Sequence, residues 1–286
     1  MNYKNVSLPA GLYLVGVPIG TARDITLRAL DVLASADVLA AEDTRSLRKL
    51  MDIHGVPLAG RKIVAVHEHS GAGVIARLVE AVSAGKAVAY ASEAGMPMVA
   101  DPGFELARAV AADGFSVTSA PGPSAAVTAL VLAGLPTDAF FFAGFLPSAQ
   151  AARGRALEKL AQVPGTLIFY ESPKRLGAML AQAALVLGDM REAAVCRELT
   201  KKFEEVARGT LASLAEVYAG RGVKGEIVVL IERASSETVK EEDINRALTK
   251  ALETMSVRDA AEMVAKAHDL PRRKVYQTAL SLAQSE

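Results

Sequence analysis

The sequence has few residues that can form disulfides or thiolate metal sites: its 286 residues include one cysteine, Cys196, and four histidines. A single cysteine excludes an intrachain disulfide and any metal site built from several cysteines, as expected in a reducing compartment. The net charge is +0, because 32 Lys and Arg balance 32 Asp and Glu. No field of the whole molecule therefore attracts nucleic acid, and any polyanion must bind local basic clusters.

Long apolar runs and several common motifs are also missing. No uninterrupted apolar run approaches the roughly 20 residues that span a bilayer. Residues 1–9 lack the basic start and apolar core of a signal peptide, so we expect a cytoplasmic protein with no membrane partner. The motifs G-x-G-x-x-G, G-x-x-x-x-G-K-[ST] and G-x-S-x-G are absent. Their absence argues against an NAD enzyme, a Rossmann-type methyltransferase, a nucleotide hydrolase and a serine hydrolase.

The most informative stretch is residues 92–103, SEAGMPMVADPG, between a strand predicted over 87–91 and a helix predicted from Phe104. Pro97 and Pro102 fix φ and remove backbone donors, while the two glycines permit positive φ. A rigid loop at the carboxyl end of a parallel strand is where open α/β sheets bind ligands. The pattern predicts a ligand loop, and a tight structural turn is the alternative.

Alternating strands and helices predict an α/β fold in which the N-terminal domain has a parallel sheet covered on both faces. We place an N-terminal α/β domain over 1–123, a C-terminal α/β domain over 124–234, and a linker with a helical tail over 235–286. In the second domain, Ser124 is predicted to cap a helix over 125–132, and Ser172 with Pro173 to start another. The strands are predicted at 12–17, 38–41, 63–66, 87–91, 115–118, 140–143, 166–170, 193–196, 203–206 and 227–231.

The tail pattern is typical of a small helical unit that follows a polar linker over 235–242. Ser256 and Asp259 form a capping pair for one helix, and Pro271 starts another whose first turn carries Arg272, Arg273 and Lys274. Two short helices joined by a tight turn resemble a helix-turn-helix. Basic residues at a helix start oppose the macrodipole, which favours a role toward a partner. A simple docking hairpin is an equal alternative.

His67 and His69 project to the same side of a predicted strand end and have the residue type of metal ligands. With no cysteine nearby, a structural or substrate-contact role is the better interpretation. We therefore expect no metal.

Eight short motifs occur together and in order along nearly the whole chain. They are 18-PIG-20, 41-AEDTR-45 with the 67-HEH-69 turn, the loop over 92–103, 121-PGPSA-125, 169-FYESP-173, 197-RELTK-201 and 224-KGE-226. This set closely resembles the family of ribosomal RNA small subunit methyltransferase I. That family belongs to the tetrapyrrole-methylase-like, S-adenosylmethionine-dependent enzymes, and the basic tail also resembles its C-terminal unit.

The resemblance implies a homodimer whose protomers bind S-adenosylmethionine in a cleft between two α/β domains. It implies methyl transfer to the ribose 2′-hydroxyl of a cytidine in small-subunit (16S) rRNA, as RNA or as the 30S particle. Stiff loops suit this chemistry, which needs a methyl held in line with an attacking oxygen and no metal. The cofactor residues implied by the motifs are Pro18, Ile19, Gly20, Glu93, Ala94, Gly95, Met96, Pro97, Val99, Ser124 and Ala125.

A ribose hydroxyl is a poor nucleophile at neutral pH, so a positioned base is expected. The candidates are Glu198 and Lys201, with Glu226, Asp43 and Glu42 as weaker candidates. An interdomain salt-bridge set is an equal interpretation of Glu198 and Lys201.

Seven basic residues are candidate contacts to RNA phosphates, although a single such residue is more often an ordinary solvated charge. They are Arg45, Arg48, Lys174, Arg175, Arg272, Arg273 and Lys274.

Several positions depart from the family pattern: Val17, Thr21, Ser70, Glu93 and Met96 stand where Thr, Asn, Asn, Asp and Thr are more common. Met96 matters most, because it removes a hydroxyl from the expected cofactor wall. Two other functions compete with rRNA methylation: a corrin or tetrapyrrole C-methyltransferase, and a non-enzymatic ribosome-assembly factor. The basic tail and residues 41–45 argue against the corrin enzyme, which needs neither.

Overall fold

The structure is a computed structural model that describes residues 2–67, 70–234, 236–253, 255–267 and 272–283. The chain forms two compact units, one of residues 1–160 and 165–232 and the other of residues 161–164 and 233–286. Within the described ranges, no helix is both long enough and apolar enough to cross a bilayer. The boundary predicted between residues 123 and 124 stays a prediction.

The first sheet of the larger unit is entirely parallel, with strand order β3-β2-β4-β1-β5. Its strands are β1 (Gly11–Val15), β2 (Val38–Ala41), β3 (Ile63–Ala65), β4 (Ala87–Ala91) and β5 (Val117–Ala120). One face packs on α1 (Leu27–Ser35) and α2 (Thr44–Ile53). The other packs on α3 (Ala72–Ser83) and α4 (Phe104–Ala112). This confirms the predicted parallel sheet covered on both faces, although β5 begins two residues later than predicted.

Local sequence explains where these helices begin. The Thr26 hydroxyl accepts the Ala29 N–H at 3.1 Å and caps α1. Asp43 caps α2 by accepting the Arg45 N–H at 2.7 Å. Both strands and helices then supply apolar side chains to the core, and β4 is buried along its whole length. A strand buried on both faces is the expected centre of a doubly covered parallel sheet.

The second sheet is mixed, whereas the parallel sheet was predicted for the N-terminal domain. Only β6 and β7 pair in parallel, whereas β10 runs antiparallel to β7 and β8, and β9 antiparallel to β8. The physical reason is that β8 and β9 are joined by a short hairpin connection, which parallel strands cannot use. The order is β6-β7-β10-β8-β9, from β6 (Phe140–Phe145), β7 (Thr166–Glu171), β8 (Glu192–Arg197), β9 (Glu205–Thr210) and β10 (Ile227–Ile231).

Helix α5 (Ala125–Ala133) packs on this second sheet, together with Ile19 from the loop after β1. Ser124 is its N-cap residue, but its side chain makes no capping hydrogen bond. The predicted helix start at Ser172 and Pro173 is wrong, because residues 172–175 form a turn first. The other helices of the unit are α6 (Gln150–Leu160), α7 (Leu176–Leu187) and α8 (Leu211–Tyr218).

The smaller unit contains α9 (Ser236–Leu252), α10 (Val257–Ala267) and α11 (Arg272–Ala283). The linker predicted over 235–242 is wrong from residue 236, because that polar segment is the first part of α9; Ser235 lies outside the described residues. The capping pair is confirmed: the Ser256 hydroxyl accepts the Asp259 N–H at 3.2 Å and donates to its carboxylate at 2.6 Å. Pro271 lies outside the described residues, and α11 begins at Arg272.

Candidate active site

A cavity of about 310 Å³ opens between the carboxyl-end loops of the first sheet and the edge of the second sheet where β7 ends and β10 begins. Its size falls at the lower end of ordinary small-molecule pockets. Residues from seven segments line it: Ile19; Ala94, Gly95, Met96, Val99, Ala100 and Asp101; Ser124 and Ala125; Phe145; Tyr170, Glu171, Ser172 and Pro173; Leu199; and Gly225, Glu226, Ile227 and Val228.

One wall is the β4–α4 loop, residues 92–103, which is fixed to its neighbours by backbone hydrogen bonds. Val17 and Gly95 exchange N–H···O bonds of 2.9 and 3.1 Å, which join it to the loop after β1. The Tyr90 hydroxyl donates to the Pro102 carbonyl at 3.0 Å from below. Gly103 has φ +116°, and a Cβ there would collide with the Tyr90 ring. These contacts therefore account for the predicted rigidity of the loop.

Two non-glycine residues in this loop adopt the left-handed region: Met98 at φ 69° and Ala100 at φ 61°. Such conformations cost about 1–3 kcal/mol each and persist where surrounding structure enforces them, often at ligand sites. Asp101 immediately follows Ala100, so the strained backbone sets the direction of its side chain toward the cavity.

Met96 stands where a side chain with a hydroxyl was expected, and its sulfur accepts a hydrogen bond. Its Sδ accepts the Gly122 N–H at 3.2 Å. The same sulfur would lie 2.7 Å from a Cβ on Gly16, so the close packing of Gly16, Met96 and Gly122 depends on the glycine. A thioether is a weak acceptor but a good filler of irregular space. The substitution is thus accommodated by the β1 and β5 loops.

The opposite wall includes the β8–β9 loop, residues 198–204, where Glu198 has φ 52° and Thr200 has φ 63°. Lys201 Nζ donates to Glu198 Oε1 at 3.0 Å and to Glu226 Oε2 at 2.8 Å. The Lys201 hydrogen bond holds the pKa of Glu198 below its ordinary value. Burial disfavours the Lys201 ammonium, but hydrogen bonds to Glu226 and Glu198 outweigh it and raise its pKa.

This loop also contacts the loop after β1. The Thr21 N–H donates to Thr200 Oγ1 at 3.1 Å. Gly20 lies so close that an added Cβ would collide with Thr200 Oγ1 and lie 2.8 Å from the Leu199 carbonyl. Lys201 forms ion pairs with both Glu198 and Glu226. This agrees with the salt-bridge interpretation, except that the pairs lie within the second sheet's own loops and not between the two domains. Their roles as bases stay predictions.

Asp101 is an ionisable cavity residue that we did not predict. It is half-buried, and burial with the nearby charges of Glu42 and Glu93 raises its pKa to about 7. The only available signal was an acid between Ala100 and Pro102 in the predicted ligand loop, to which we had assigned no role of its own.

Glu171 was missed as well, although it belongs to the 169–173 motif. Its side chain is 1% exposed and its Oε1 accepts the Ser172 N–H at 2.7 Å and Arg175 Nε at 2.6 Å. Its Oε2 is buried and has no hydrogen-bond partner among the described residues. A buried unpaired carboxylate oxygen is costly, so one beside a cavity is suited to a ligand's donor.

The predicted cofactor residues divide between two places. Pro18, Gly20 and Glu93 line a neighbouring depression that also includes Ser46 and Lys49. Pro97 is buried within its own loop. The remaining predicted residues share the main cavity: Ile19, Ala94, Gly95, Met96, Val99, Ser124 and Ala125.

Of the predicted bases, only Glu226 lines the main cavity. Asp43 lies in a separate depression with Glu42 and His67, and hydrogen bonds from Arg45 lower its pKa. Its position as the cap of α2 gives it a structural task. His69 lies outside the described residues. Within the described ranges, no group of three or more His, Cys, Asp or Glu side chains is placed to hold a metal.

The residues predicted to contact phosphates differ in whether their positive charge is paired with a carboxylate. Arg45 is 91% exposed but bonds Asp43, and Arg175 is paired with Glu171. Lys174 and Arg48 are exposed, and Lys174 directly follows Pro173 of the cavity wall. On α11, Arg272 bonds Glu262 at 2.7 Å, and Arg273 and Lys274 are exposed.

Two family models match this chain. The model of tetrapyrrole (corrin/porphyrin) methylases matches residues 11–215, and that of the RsmI C-terminal HTH domain matches residues 238–283. The second match agrees with the helix-turn-helix resemblance inferred for the tail.

Solved structures of the same fold include uroporphyrin-III-C-methyltransferase of Thermus thermophilus, at 25% identity and TM-score 0.54, covering 79% of this chain and 95% of that one. Another structure of that enzyme, complexed with S-adenosyl homocysteine, matches at 22% identity and TM-score 0.53, covering 78% and 98%. The cobalt precorrin-4 methyltransferase matches at 16% identity and TM-score 0.58, covering 77% and 94%. These likenesses confirm the predicted fold class.

Relatives named ribosomal RNA small subunit methyltransferase I cover almost the whole chain. The Mesorhizobium japonicum protein is 45% identical over 276 residues, 96% of this chain and 93% of its own length. The Mycobacterium bovis and Bacillus subtilis proteins are 42% and 36% identical, each with 96% of both chains covered. The resemblance carried by the eight motifs is thereby confirmed, and the chain belongs to the ribosomal RNA small subunit methyltransferase I family of tetrapyrrole methylases.

Proposed function

We propose that the chain transfers a methyl group from S-adenosylmethionine, held in the 310 Å³ cavity, to the ribose 2′-hydroxyl of a cytidine in small-subunit rRNA. Its family makes it an S-adenosylmethionine-dependent rRNA methyltransferase, which confirms the predicted class of enzyme and methyl donor. The cavity assignment, the atom methylated and the nucleotide are the proposal. We expect the protein to be in the cytoplasm, because its proposed rRNA substrate is there.

The single observation that carries the cavity assignment is the unpaired Oε2 of Glu171. S-adenosylmethionine has ammonium, ribose hydroxyl and adenine amino donors, any of which satisfies a buried acceptor. The rest of the lining also fits: Met96, Val99 and Leu199 supply apolar surface, and the loops supply backbone polar groups. Carboxylates in the lining suit a ligand with a positive sulfonium centre.

When bound, S-adenosylmethionine supplies an electrophilic methyl group on a positively charged sulfur. The protein's contribution is to hold the acceptor hydroxyl in line with that methyl group, which lowers the entropic part of the barrier. The strained β4–α4 loop and the ion-paired β8–β9 loop form stiff walls for this purpose. Enclosure between two sheets also limits competing water.

Exposed cations near the cavity support an RNA substrate. Lys174 adjoins the cavity wall and Arg48 lies on α2, whose Ser46 and Lys49 line the adjoining depression. Phosphate contacts position a nucleic acid without reading its sequence. On this basis Lys174, Arg45 and Arg48, together with Arg273 and Lys274 of α11, are the proposed contacts to rRNA or the 30S particle.

The decisive experiment supplies methyl-labelled S-adenosylmethionine and one of three acceptors: small subunits, naked small-subunit rRNA or a precorrin. We expect label on a cytidine ribose of the rRNA, located by nuclease mapping. Label in the tetrapyrrole alone would overturn the substrate assignment. Tight binding of particles without transfer would instead favour an assembly factor.

Glu171→Gln tests the cofactor site itself by calorimetry with S-adenosylhomocysteine. The amide keeps the shape but replaces a charged acceptor, and we expect about tenfold weaker binding. Lys174→Met, three residues away and exposed, is the matched control and should leave this affinity unchanged. Equal affinities for Glu171→Gln and the wild type would place the cofactor elsewhere.

We also propose that the chain is a homodimer, on the basis of α5 and the edge strand β6. Helix α5 is apolar apart from Thr128, and Val127 and Val131 are 50% and 69% exposed. Such a helix is normally buried all round. Strand β6, at the edge of the sheet that α5 covers, exposes Phe140 and Phe141. A second copy of the chain is the occupant we assign to these surfaces.

Sedimentation equilibrium tests this assignment. Val131→Lys should convert the dimer to a monomer, because it places a charge in an apolar interface. Leu185→Lys is the control, since Leu185 is 84% exposed on α7 and should leave the dimer intact. A monomeric wild type, or a dimeric Val131→Lys, would refute the interface.

A further inference from the structure

Two exposed phenylalanines of the larger unit each have a cation over the ring, and they differ in what that cation binds. Arg108 is 5.5 Å from the centroid of the Phe104 ring, and Lys202 Nζ is 5.5 Å from that of Phe203. Arg108 also pairs with Glu105 at 2.6 Å. Lys202 is exposed and forms no ion pair with any residue that the structure describes. The charge beside Phe203 is therefore available to a partner.

Phe203 belongs to the β8–β9 loop and lies close to the cavity. Leu199, four residues earlier, lines the cavity, and Lys201 bonds the cavity residue Glu226 at 2.8 Å. Four residues span at most about 14 Å even when fully extended. The Phe203 side chain is 63% exposed, so it is not part of a core. An exposed aromatic ring with its own cation thus lies beside the proposed cofactor site.

Hydrogen bonds hold the loop that presents this ring. The Lys201 N–H donates to the Glu198 carbonyl at 3.0 Å, and the Glu204 N–H donates to the Lys201 carbonyl at 3.2 Å. The Thr200 N–H donates to Glu204 Oε2 at 2.6 Å. The backbone of Phe203 therefore has a defined place in the free chain, and only two side-chain torsions are fixed when a ligand stacks on the ring.

Methylation of a ribose in this cavity creates a need for such a ring. A cavity of about 310 Å³ is too small to admit a base-paired helix, so the methylated nucleotide must leave its stack. Unstacking costs free energy and exposes the faces of neighbouring bases. Proteins bind unstacked RNA bases on aromatic side chains and the strand's phosphates on cations. Lys202 and Phe203 supply one of each.

We propose that the Phe203 ring stacks on an unstacked base of the RNA near the methylated nucleotide, while the Lys202 ammonium contacts a phosphate of the same strand. This inference rests on the proposed function and adds the means by which the strand is held beside the cavity. Every base has a π face, so stacking is tolerant of sequence. The pair therefore contributes affinity for a single strand and not the choice of nucleotide.

A series of variants at position 203 separates stacking from simple apolar contact. Phe203→Ala should raise the KM for the rRNA acceptor about tenfold, with kcat and the affinity for S-adenosylhomocysteine changed less than threefold. Phe203→Leu keeps an apolar side chain without a π face and should be nearly as impaired. Phe203→Trp keeps the stacking surface and should stay within threefold of the wild type.

Met190→Ala is the matched control. Met190 is 78% exposed and precedes β8, whose 6 residues separate it from the β8–β9 loop by about 20 Å. The change removes exposed apolar surface, as Phe203→Ala does, and should leave the KM for rRNA unchanged. Lys202→Gln should raise this KM less than Phe203→Ala does and should make binding less dependent on salt, because one phosphate contact is lost.

A second readout does not depend on methyl transfer. The chain contains no tryptophan, so Phe203→Trp carries a single reporter and the wild type supplies the background. Small subunits or naked small-subunit rRNA should quench the emission of Phe203→Trp, because stacking brings a base into contact with the indole. The emission of Met190→Trp should not change.

Four outcomes overturn the proposal. An unquenched Phe203→Trp, or a Phe203→Leu as active as the wild type, overturns the stacking role even if rRNA is methylated. Loss of the dimer in Phe203→Ala, measured by sedimentation equilibrium, assigns the ring to contact between copies of the chain. No methylation of rRNA by the wild type overturns the proposed function and this inference with it, whereas methylation with an unchanged KM in Phe203→Ala overturns this inference alone.

Discussion

The two walls of the cavity share a backbone feature and differ in charge. The β4–α4 loop and the β8–β9 loop each hold two non-glycine residues at positive φ, Met98 and Ala100 in one and Glu198 and Thr200 in the other. Each also carries one carboxyl group of interest. Burial and two nearby carboxylates raise the pKa of Asp101 to about 7, whereas the Lys201 hydrogen bond lowers the pKa of Glu198 below its ordinary value.

This difference separates two roles that motifs alone do not distinguish. Backbone strain marks both loops as positions held by their surroundings, and so does not separate the two loops. Burial and charged neighbours do, because they shift the pKa values of two similar carboxyl groups in opposite directions. In the β8–β9 loop the charge of Glu198 is balanced by Lys201. In the β4–α4 loop Asp101 has no such partner among the described residues, and its pKa is about 7.

The largest effect should come from separating the β8–β9 loop from the loop after β1. Gly20→Ala places a Cβ against Thr200 Oγ1 and 2.8 Å from the Leu199 carbonyl, so the backbone must shift. We expect the free energy of unfolding to fall by about 3 kcal/mol. Gly222→Ala, where an added Cβ meets nothing within 4 Å, is the control and should change it by less than about 0.5 kcal/mol. Equal stability of the two variants, measured by urea unfolding, would show that the loops are not in contact.

The next test uses the opposite pKa shifts. Asp101 is harder to ionise in the folded chain, so its charge costs stability above pH 7, and the cost disappears as the pH falls toward its ordinary value of 3.8. Asp101→Asn should therefore raise the free energy of unfolding at pH 8 by about 2 kcal/mol, allowing for partial solvent exposure. The gain should vanish near pH 4.

Glu198→Gln should have the opposite sign. The Glu198 carboxylate is stabilised in the folded chain, so its contribution is present above its ordinary value of 4.5 and is lost as the pH falls through the lowered folded pKa. We expect a loss of about 1 kcal/mol at pH 8 that fades in acid. Urea midpoints at pH 4, 6 and 8 measure both variants, and shifts of the same sign would break the comparison between the walls.

The sequence predicted the first sheet better than the second for a physical reason. Strands buried on both faces and Pro/Gly loops at their ends, such as residues 92–103, are visible as composition. The antiparallel pairing of β10 with β7 and β8 depends on long-range contacts that no local pattern records. For the same reason the ion pairs of Lys201 were one of two interpretations, while Asp101 and Glu171 were missed. Their properties come from partners distant in sequence, or from the lack of them.

A finer test alters the field around Asp101 without touching it. Glu42→Gln removes one of the two carboxylates that raise its pKa, so the carboxylate form of Asp101 becomes easier to reach and its pKa should fall. The titration midpoint of the Asp101 carboxyl, followed by NMR of the cofactor-free chain labelled with ¹³C at aspartate carboxyls, should move to lower pH by up to about one unit. Glu105→Gln, on the exposed face of α4, should leave the midpoint in place. A midpoint that Glu42→Gln does not move would mean that Glu42 does not contribute to the raised pKa of Asp101.

The smallest effect concerns Met96, whose sulfur accepts the Gly122 N–H at 3.2 Å and packs against Gly16. Met96→Thr restores the hydroxyl that is more common in the family, but the shorter side chain leaves space where the thioether lay. The hydroxyl is a stronger acceptor than the sulfur, while the lost contacts weaken packing, so the two changes oppose each other. We expect the affinity for S-adenosylhomocysteine to change less than threefold and the unfolding free energy to fall by about 1 kcal/mol. A tenfold change in affinity would show that the cofactor contacts the Met96 side chain itself, and that this wall binds through more than its rigid backbone.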